Sequence, residues 1–313
     1  MTNVLLVPPI KCQGIKTKLV PEIKALAVSE EYARWVEPFC GSCVVALNVQ
    51  PKKALLSDTN THIIRFYRDV QTKVISAGTI KEFLAEEGER LRNQGEAYYY
   101  QVRDRFNHSP NSYDFLFLNR SCFNGVMRFN RKGHFNVPFC HKTDRFSKAY
   151  VTKIVNQVRS VATVIHSNDW QFAVSDFRAV MTQVKPTDLV YADPPYTGRH
   201  ADYFNTWSDA DEDALIRSLQ NLSAKFILST WHSNEFRINP VLSRDWSYQE
   251  YHLLTKPHYY HVGSYEDLRH AMLEALITNI VLQVTQAHAK GHEQLRLLEV
   301  PFVEYTVNGD QGE

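Results

Sequence analysis

The 313-residue sequence contains no hydrophobic run long enough to cross a lipid bilayer. Its first residues, MTNVLLVPPIK, form an apolar stretch that is too short, and too interrupted by proline, for a secretory signal. Apolar residues make up 44% of the chain and charged residues 22%, as in an ordinary soluble protein. We therefore expect a cytoplasmic protein that has no membrane partner.

Cysteine is also scarce, and its number is odd, which argues against a disulfide framework and favours reduced thiols. The five cysteines are Cys12, Cys40, Cys43, Cys122 and Cys140. Cys40 and Cys43 have the spacing of zinc ligands, but no second pair and no histidine cluster lies at a matching distance. The sequence therefore predicts packed thiols and no metal site.

Acidic residues are nearly absent between Leu116 and Ser160, where Asp144 is the only one. The net charge of the whole chain, +1, does not reveal this basic block. Phenylalanines alternate with the basic side chains, as expected of a folded surface that grips phosphates. A solvated basic face over a small aromatic core is the alternative that charge alone leaves open. The basic residues are Arg120, Arg128, Arg131, Lys132, Lys142, Arg145, Lys148, Lys153 and Arg159.

Strand-like and helix-like patterns alternate along much of the chain, which is typical of a doubly wound α/β sheet. The predicted strands lie at 53–57, 188–193, 224–230 and 275–284, and the predicted helices at 61–71 and 208–222, the second opened by Ser208 as N-cap. Residues 80–160 interrupt this alternation with a charged helical pattern and the basic block. We therefore expect a sheet domain built from residues 1–79 and 161–313, with 80–160 inserted.

Ligands of doubly wound sheets bind beyond the carboxyl ends of the strands. An apolar strand at the start of WVEPFCGSCVVALNV leads through Glu37, Pro38, Phe39 and Gly41 toward a helix, and glycine there lets the backbone approach a ligand closely. Asp58 follows the next strand, where a carboxylate can hold a ribose diol. Together these residues predict a nucleoside-binding half.

A third strand ends in the stiff turn Asp193, Pro194, Pro195, Tyr196. Neither proline has an N–H group, so the turn offers acceptors and almost no donors. Asp193 and the Pro194 carbonyl can each accept one hydrogen of a planar exocyclic amine, and Tyr196 can stack on a base. By its composition alone, the turn could also be an ordinary surface loop.

Four motifs in this order resemble those of the amino-group DNA methyltransferases, and most closely the Dam-type (D12 class, α group) adenine-N6 family. They are PPIKCQGIKTKL at 8–19, EPFCGS at 37–42, FLNRSCFNGVMRFNRKGHFNVPF at 117–139 and DPPY at 193–196. The resemblance implies a Rossmann-like doubly wound mixed sheet of the S-adenosylmethionine-dependent methyltransferase type. It also implies an inserted, mainly helical DNA-recognition domain and a double-stranded DNA substrate, with GATC as the expected site.

The resemblance assigns the catalytic turn to Asp193, Pro194, Pro195 and Tyr196. The implied S-adenosylmethionine contacts are Lys16, Pro38, Phe39, Gly41, Asp58, Asp169 and Asp193, with Cys12 as a positional match only. This chain departs from the family pattern at Cys12, where a tryptophan is usual, and at Ile15 and Cys43, where glycine is usual. Tyr203 and Phe204 are expected either to line the pocket for a flipped adenine or to belong to the core.

For sequence reading, Arg128 is the main candidate, because a guanidinium can bridge guanine O6 and N7 in the major groove. Val126 and Pro138 are expected at a thymine methyl, Asn124 and Asn136 at a phosphate or base edge. Lys11 matches a lysine that reaches a guanine in the family. Arg120 completes the predicted DNA-binding set.

Several alternatives remain open: another adenine-containing site, cytosine N4 methylation, and an inactive DNA-binding regulator. Cytosine-N4 enzymes typically have serine in place of Asp193, and RNA or protein-glutamine methylation is usually tied to asparagine there. A restriction nuclease is poorly supported, since no paired acid and lysine of metal-nuclease spacing is visible. We expect a monomer of bacterial or phage origin that associates with the nucleoid. A cognate restriction endonuclease is a possible partner.

Overall fold

The computed structural model of the chain describes residues 5–196, 207–234, 237–246, 250–259 and 271–281. The strands are β1 Arg34–Glu37, β2 Lys53–Asp58, β3 Asp169–Val174, β4 Asp188–Ala192, β5 Lys225–Asn234, β6 His252–Tyr259 and β7 Ala271–Thr278. The helices are α1 Val20–Val28, α2 Val44–Val49, α3 Thr61–Gln71, α4 Ala77–Gln94, α5 Glu96–His108, α6 Ser112–Ser121, α7 Lys148–His166, α8 Phe177–Met181, α9 Asp209–Gln220 and α10 Pro240–Asp245.

The strands form one seven-stranded sheet in the order β3-β2-β1-β4-β5-β7-β6. Strands β1 to β5 pair in parallel, whereas β7 is antiparallel to both of its neighbours. The chain order reverses between β1 and β4, and such a switch point opens a crevice at the carboxyl ends of the strands. The predicted doubly wound mixed α/β sheet is confirmed.

Local sequence explains why the helices form where they do. The Asn60 side chain accepts hydrogen bonds from the backbone of His62 and Ile63 and so caps α3. The buried face of α3 carries Ile63, Ile64, Phe66, Tyr67 and Val70, at the helical spacing seen in the sequence. Ser208 caps α9 through a capping box with Asp211, as expected for that helix.

The inserted part consists of helices α4, α5 and α6, the segment Cys122–Cys140, and the first turns of α7. Its core is continuous with the core beneath the sheet, since Leu84, Phe117 and Val158 belong to the same buried cluster as Tyr67. Helix α7 runs through residue 160 without interruption. The insertion is therefore packed firmly on the sheet domain by shared apolar side chains.

The segment Cys122–Cys140 folds back on itself through antiparallel bridges Cys122–Phe139 and Phe129–Phe135. We call it the recognition hairpin, after the DNA-reading role that the sequence predicts for it. The Tyr99 hydroxyl donates to the Val137 carbonyl over 2.8 Å. The Asn107 side chain accepts from the Phe135 N–H over 2.7 Å and donates to its carbonyl over 3.1 Å. Helix α5 thus supports the hairpin from below.

In the described ranges, no helix combines the length and the apolar character that crossing a bilayer requires.

Candidate active site

The carboxyl ends of β1, β2 and β4 meet at one edge of the sheet, since the three strands are parallel neighbours. This geometry brings together Pro38 after β1, Asp58 at the end of β2 and Asp193 after β4. The three strand ends selected in the sequence therefore lie at one site, next to the switch point between β1 and β4.

The loop between β1 and α2 turns tightly around Asp58. Gly41, at φ +45°, donates its N–H to Asp58 Oδ2 over 2.9 Å, and the Asn60 N–H reaches Oδ1 over 2.8 Å. The Cys40 N–H donates to the Ser57 carbonyl over 2.8 Å. Each Asp58 oxygen keeps a lone pair for a further donor, such as a hydroxyl. Burial raises the pKa of Asp58, although hydrogen bonds from the backbone oppose that rise.

Lys16 is buried beside the turn after β4, with 5% of its side chain exposed. Its ammonium lies 3.0 Å from Asp193 Oδ1, donates to the Gly14 carbonyl over 2.9 Å, and sits 4.9 Å from the centroid of the Tyr196 ring. Burial by itself lowers the pKa of Lys16, but Asp193 and the other acidic groups nearby outweigh burial, and the pKa is raised well above its usual value. Lys16 is therefore a fixed cation that touches the turn.

Besides Asp58, two further carboxyls at this edge bind protons more tightly than usual. Burial raises the pKa of Asp193 to about 6, opposed by Lys16 and reinforced by Glu274. Burial also raises the pKa of Glu37 to about 8, although the Trp35 indole donates to Oε2 over 2.9 Å. Glu37 is thus protonated at neutral pH, whereas Asp193 is mostly ionised.

The side chain of Tyr196 is 9% exposed and packs with Trp231 from β5. Pro194 is buried and Pro195 is half-buried, so most of the turn after β4 is packed against the protein. Tyr203 and Phe204, expected near this pocket, lie outside the described residues.

Cys12 lies near Asp58 and Cys43. Burial, with Asp58 and Cys43 close by, raises its pKa well above the usual range, so the thiol is neutral. Phe39 packs against Phe177 and Trp207, with ring centroids 5.4 and 5.6 Å away. A half-buried thiol and an aromatic wall therefore flank the β1 loop.

Asp169 is not at this edge. It begins β3 and pairs with Lys53, the first residue of β2, at the opposite ends of the strands from Asp58. The acid near the carboxyl end of β3 is Asp176, which the sequence reasoning missed. Asp176 caps α8 by accepting from the Arg178 N–H over 2.9 Å, and its side chain is exposed.

The recognition hairpin carries most of the predicted DNA contacts. Arg128 Nε donates to Asn136 Oδ1 over 3.0 Å, so these two residues form a pair. Asn124 and Pro138 are exposed, and Val126 is half-buried. The exposed Phe123, 51% accessible beside Asn124, is an aromatic that the sequence reasoning did not single out.

Arg120 does not reach the surface, contrary to its predicted contact with DNA. Its side chain is 4% exposed, because every residue of α6 from Asp114 to Ser121 is buried. The guanidinium lies 5.6 Å from the Tyr150 ring centroid and donates to Gln157 on α7. Arg120 is therefore an interior link between α6 and α7.

Among the described residues, no three His, Cys, Asp or Glu side chains are arranged to hold a metal ion.

Comparison with known proteins gives consistent matches. A family model for D12 class N6 adenine-specific DNA methyltransferases matches residues 13–262. The type II methyltransferase M.FokI of Planomicrobium okeanokoites is 29% identical over 293 residues, covering 89% of this chain and 43% of that protein. The retron Ec67 DNA adenine methylase of Escherichia coli is 28% identical over 217 residues, covering 67% of this chain and 70% of that protein.

A DNA adenine methylase of Serratia marcescens is 29% identical over 247 residues, covering 76% of this chain and 85% of that protein. The chain spans less than half the length of M.FokI, but most of the length of the Serratia protein.

Proposed function

Because the chain belongs to the D12 class of N6 adenine-specific DNA methyltransferases, we propose that it transfers a methyl group from S-adenosylmethionine to adenine N6 in double-stranded DNA. The observation that carries the proposal is the turn Asp193–Tyr196, fixed by Lys16 at the sheet edge where the β1 loop and Asp58 also lie.

The residues of this edge fit S-adenosylmethionine. Asp58 has free lone pairs for a ribose diol, and the tight turn at Gly41 leaves no side chain between the backbone and a ligand. Asp176 replaces Asp169 as the candidate for the adenine end, next to the aromatic wall of Phe39 and Phe177. When bound, the cofactor supplies an activated methyl group, so the protein needs to position the two reactants rather than to activate the methyl group.

The turn is suited to a target amine. Asp193 and the Pro194 carbonyl accept the two N6 hydrogens, which directs the nitrogen lone pair toward the methyl group. The ring of Tyr196 stacks on the adenine and offsets part of the few kcal/mol that unstacking costs, as the base must leave the duplex. Lys16 keeps Asp193 ionised as an acceptor, because it lowers the pKa of that carboxyl.

The recognition hairpin is proposed to read the site. Arg128, oriented by Asn136, bridges a guanine, while Val126 and Pro138 contact a thymine methyl. Asn124 and the exposed basic residues contact phosphates. GATC is the proposed site, and a cognate endonuclease is a proposed partner, since M.FokI is named as a type II methyltransferase.

The test is methyl transfer from labelled S-adenosylmethionine to unmethylated duplexes that contain or lack GATC, followed by nucleoside analysis. We expect N6-methyladenine in the duplexes with GATC. Asp193→Asn, which keeps the size but removes the charge, should abolish transfer and keep DNA affinity. Methylcytosine, or no transfer by folded wild-type protein, would overturn the proposal. Transfer to another adenine-containing site would overturn only the GATC assignment.

A further inference from the structure

The residues before α1 form a strap without helix or strand, Leu5–Lys16, that is anchored at three points. Asn48 on α2 accepts from the Leu6 N–H and donates to its carbonyl, both over 2.9 Å. Asn119 on α6 holds Lys11 in the same manner, and Lys16 pairs with Asp193. The strap thus contacts the sheet domain, the insertion and the turn Asp193–Tyr196 in succession.

The Asn119 anchor is buried and bonded on both sides of its amide. Its side chain is 0% exposed, accepts from the Lys11 N–H over 2.7 Å and donates to the Lys11 carbonyl over 2.9 Å. A side-chain amide that bonds both backbone groups of one residue fixes the backbone of that residue in position and orientation. Asn119 therefore determines where the Lys11 side chain begins.

The Lys11 side chain lies directly on the recognition hairpin. A Cβ atom placed on Gly125 would come 2.3 Å from Lys11 Cδ, so the lysine stem occupies the space that only glycine leaves open. Lys11 makes no ion pair within the described ranges, and Arg145 and Arg120 are the cations close enough to lower its pKa further below the value that burial sets. Its position consequently depends on the Asn119 anchor and on Gly125 rather than on an acidic partner.

We propose that Asn119 is a positioning residue that sets Lys11 against the recognition hairpin and so connects base reading to the Lys16–Asp193 pair. The inference rests on the proposed function, because it gives Lys11 a contact with a base. Lys11 and Lys16 belong to one short stretch of the strap, and both ends of that stretch are fixed. When a wrong base pair displaces Lys11, the displacement is therefore transmitted to Lys16 through a short piece of backbone that is anchored at both ends.

The chain offers a matched control. Asn48→Ala removes the same pair of hydrogen bonds from the same strap, at Leu6, together with one to the Val44 carbonyl within α2. Leu6 touches neither the hairpin nor the turn Asp193–Tyr196 in the contacts described above. Asn119→Ala and Asn48→Ala are compared with wild type in methyl transfer to the cognate duplex and to duplexes with one base pair exchanged. Binding of S-adenosylmethionine and the melting temperature are measured for all three proteins.

The discrimination ratio is the kcat/KM of methyl transfer to the cognate duplex divided by that to a duplex with one base pair exchanged. We expect Asn119→Ala to lower this ratio at one base pair by about tenfold, which corresponds to the loss of a single base contact. We also expect a fall in kcat on the cognate duplex, while Asn48→Ala keeps the wild-type ratio at a comparable loss of melting temperature. Asn119→Asp, which keeps the acceptor for the Lys11 N–H, should recover part of the ratio.

Equal changes of the ratio in both alanine variants, or an unchanged ratio in Asn119→Ala, would overturn the inference. Absence of methyl transfer by folded wild-type protein would instead overturn the proposed function. The ratio of the affinities for the cognate duplex and the exchanged duplexes would then test the Asn119 anchor alone.

Discussion

The ammonium of Lys16 and the carboxylate of Asp193 lie 3.0 Å apart in a buried ion pair that joins the strap before α1 to the turn after β4. The two residues are far apart in sequence, and each is fixed by its own surroundings, Lys16 by the Gly14 carbonyl and Asp193 by the end of β4. The pair sets the charge of the group proposed to accept the target amine, so its consequences are measurable.

Replacing Lys16 with Gln should move the pH dependence of methyl transfer to higher pH. The pKa of Asp193 is about 6, raised by burial and held down by Lys16, so activity of the wild type should rise through pH 6 as the carboxyl ionises. Without the cation, the pKa of Asp193 rises further, by about 1–3 units. The measurement is kcat/KM between about pH 5 and 9, which brackets both midpoints.

Lys18→Gln is the control for this change, because Lys18 is an exposed lysine of the same segment. The other groups around Asp193 and Lys16 are the titratable Glu37, Tyr191, Tyr196 and Glu274, and the Ser229 hydroxyl, which lowers the pKa of Asp193. They are unchanged in both variants. An unshifted midpoint in Lys16→Gln would show that ionisation of Asp193 does not limit the reaction.

Gly125→Ala should weaken DNA binding while leaving cofactor binding intact. Gly125 has φ +67°, and a Cβ there would come 2.3 Å from Lys11 Cδ, so the lysine must move. Gly133→Ala introduces the same type of backbone strain, at φ +74°, with open space around its Cβ. Both variants should lose about 1–2 kcal/mol of stability from that strain.

Only Gly125→Ala should also lose DNA affinity, by about tenfold. Titration of a fluorescent duplex, together with urea unfolding, separates the two effects. Equal DNA affinities of the two variants would indicate that the position of Lys11 is unimportant for binding.

The strand ends at Glu37, Asp58 and Asp193 could be predicted, because each follows an apolar run that is buried in the middle of the sheet. Strand β3 lies at the edge of the sheet and alternates between exposed and buried residues, so DWQFAV contains no apolar run. Without that run, the sequence does not show that a strand begins at Asp169 and continues past it. Asp169, at the start of β3, was therefore selected in place of Asp176, which lies beyond the end of β3.

Two other differences have equally local causes. The strand expected at 275–284 is β7 Ala271–Thr278. It ends where the Asn279 side chain, in place of backbone pairing, bonds the Phe226 N–H and the Ala224 carbonyl. Arg120 was counted with the basic surface because charge in a sequence does not show that a helix is buried on all sides. The partners Tyr150 and Gln157 come from α7, which no local pattern could supply.

Asp176→Asn should weaken binding of S-adenosylmethionine, and Asp169→Asn should not. The two acids stand at opposite ends of β3, and only Asp176 lies at the edge that carries Asp58 and the β1 loop. Loss of one hydrogen bond to a charged acceptor is worth about 1.5–3 kcal/mol, so a rise in Kd of about tenfold or more is expected.

Equilibrium binding of the cofactor to both variants measures this difference directly. In the Asp176→Asn variant the side-chain amide oxygen can still cap α8, which keeps the fold comparable between the variants. Weaker binding by Asp169→Asn alone would restore the assignment drawn from the sequence and remove Asp176 from the site.

Glu37→Gln should stabilise the protein increasingly as the pH rises from about 5 to about 8. Burial raises the pKa of Glu37 from 4.5 to about 8, so the folded state holds a proton that the unfolded chain releases at much lower pH. The stability that this proton contributes is complete below the unfolded pKa and is lost as the pH rises through the folded pKa. Glutamine is neutral throughout, and its amide oxygen can still accept from the Trp35 indole.

The difference in unfolding free energy between Glu37→Gln and wild type should therefore grow by a few kcal/mol, on the order of 1.4 kcal/mol per pH unit, between about pH 5 and pH 8. Urea unfolding at several pH values measures it, with Glu86→Gln, whose side chain is 64% exposed, as the control for replacing a carboxyl by an amide. A constant difference across this range would mean that Glu37 is ionised in the folded protein. Glu37 would then add its negative charge to that of Glu274 beside Asp193, and the midpoint expected for methyl transfer would lie above about pH 6.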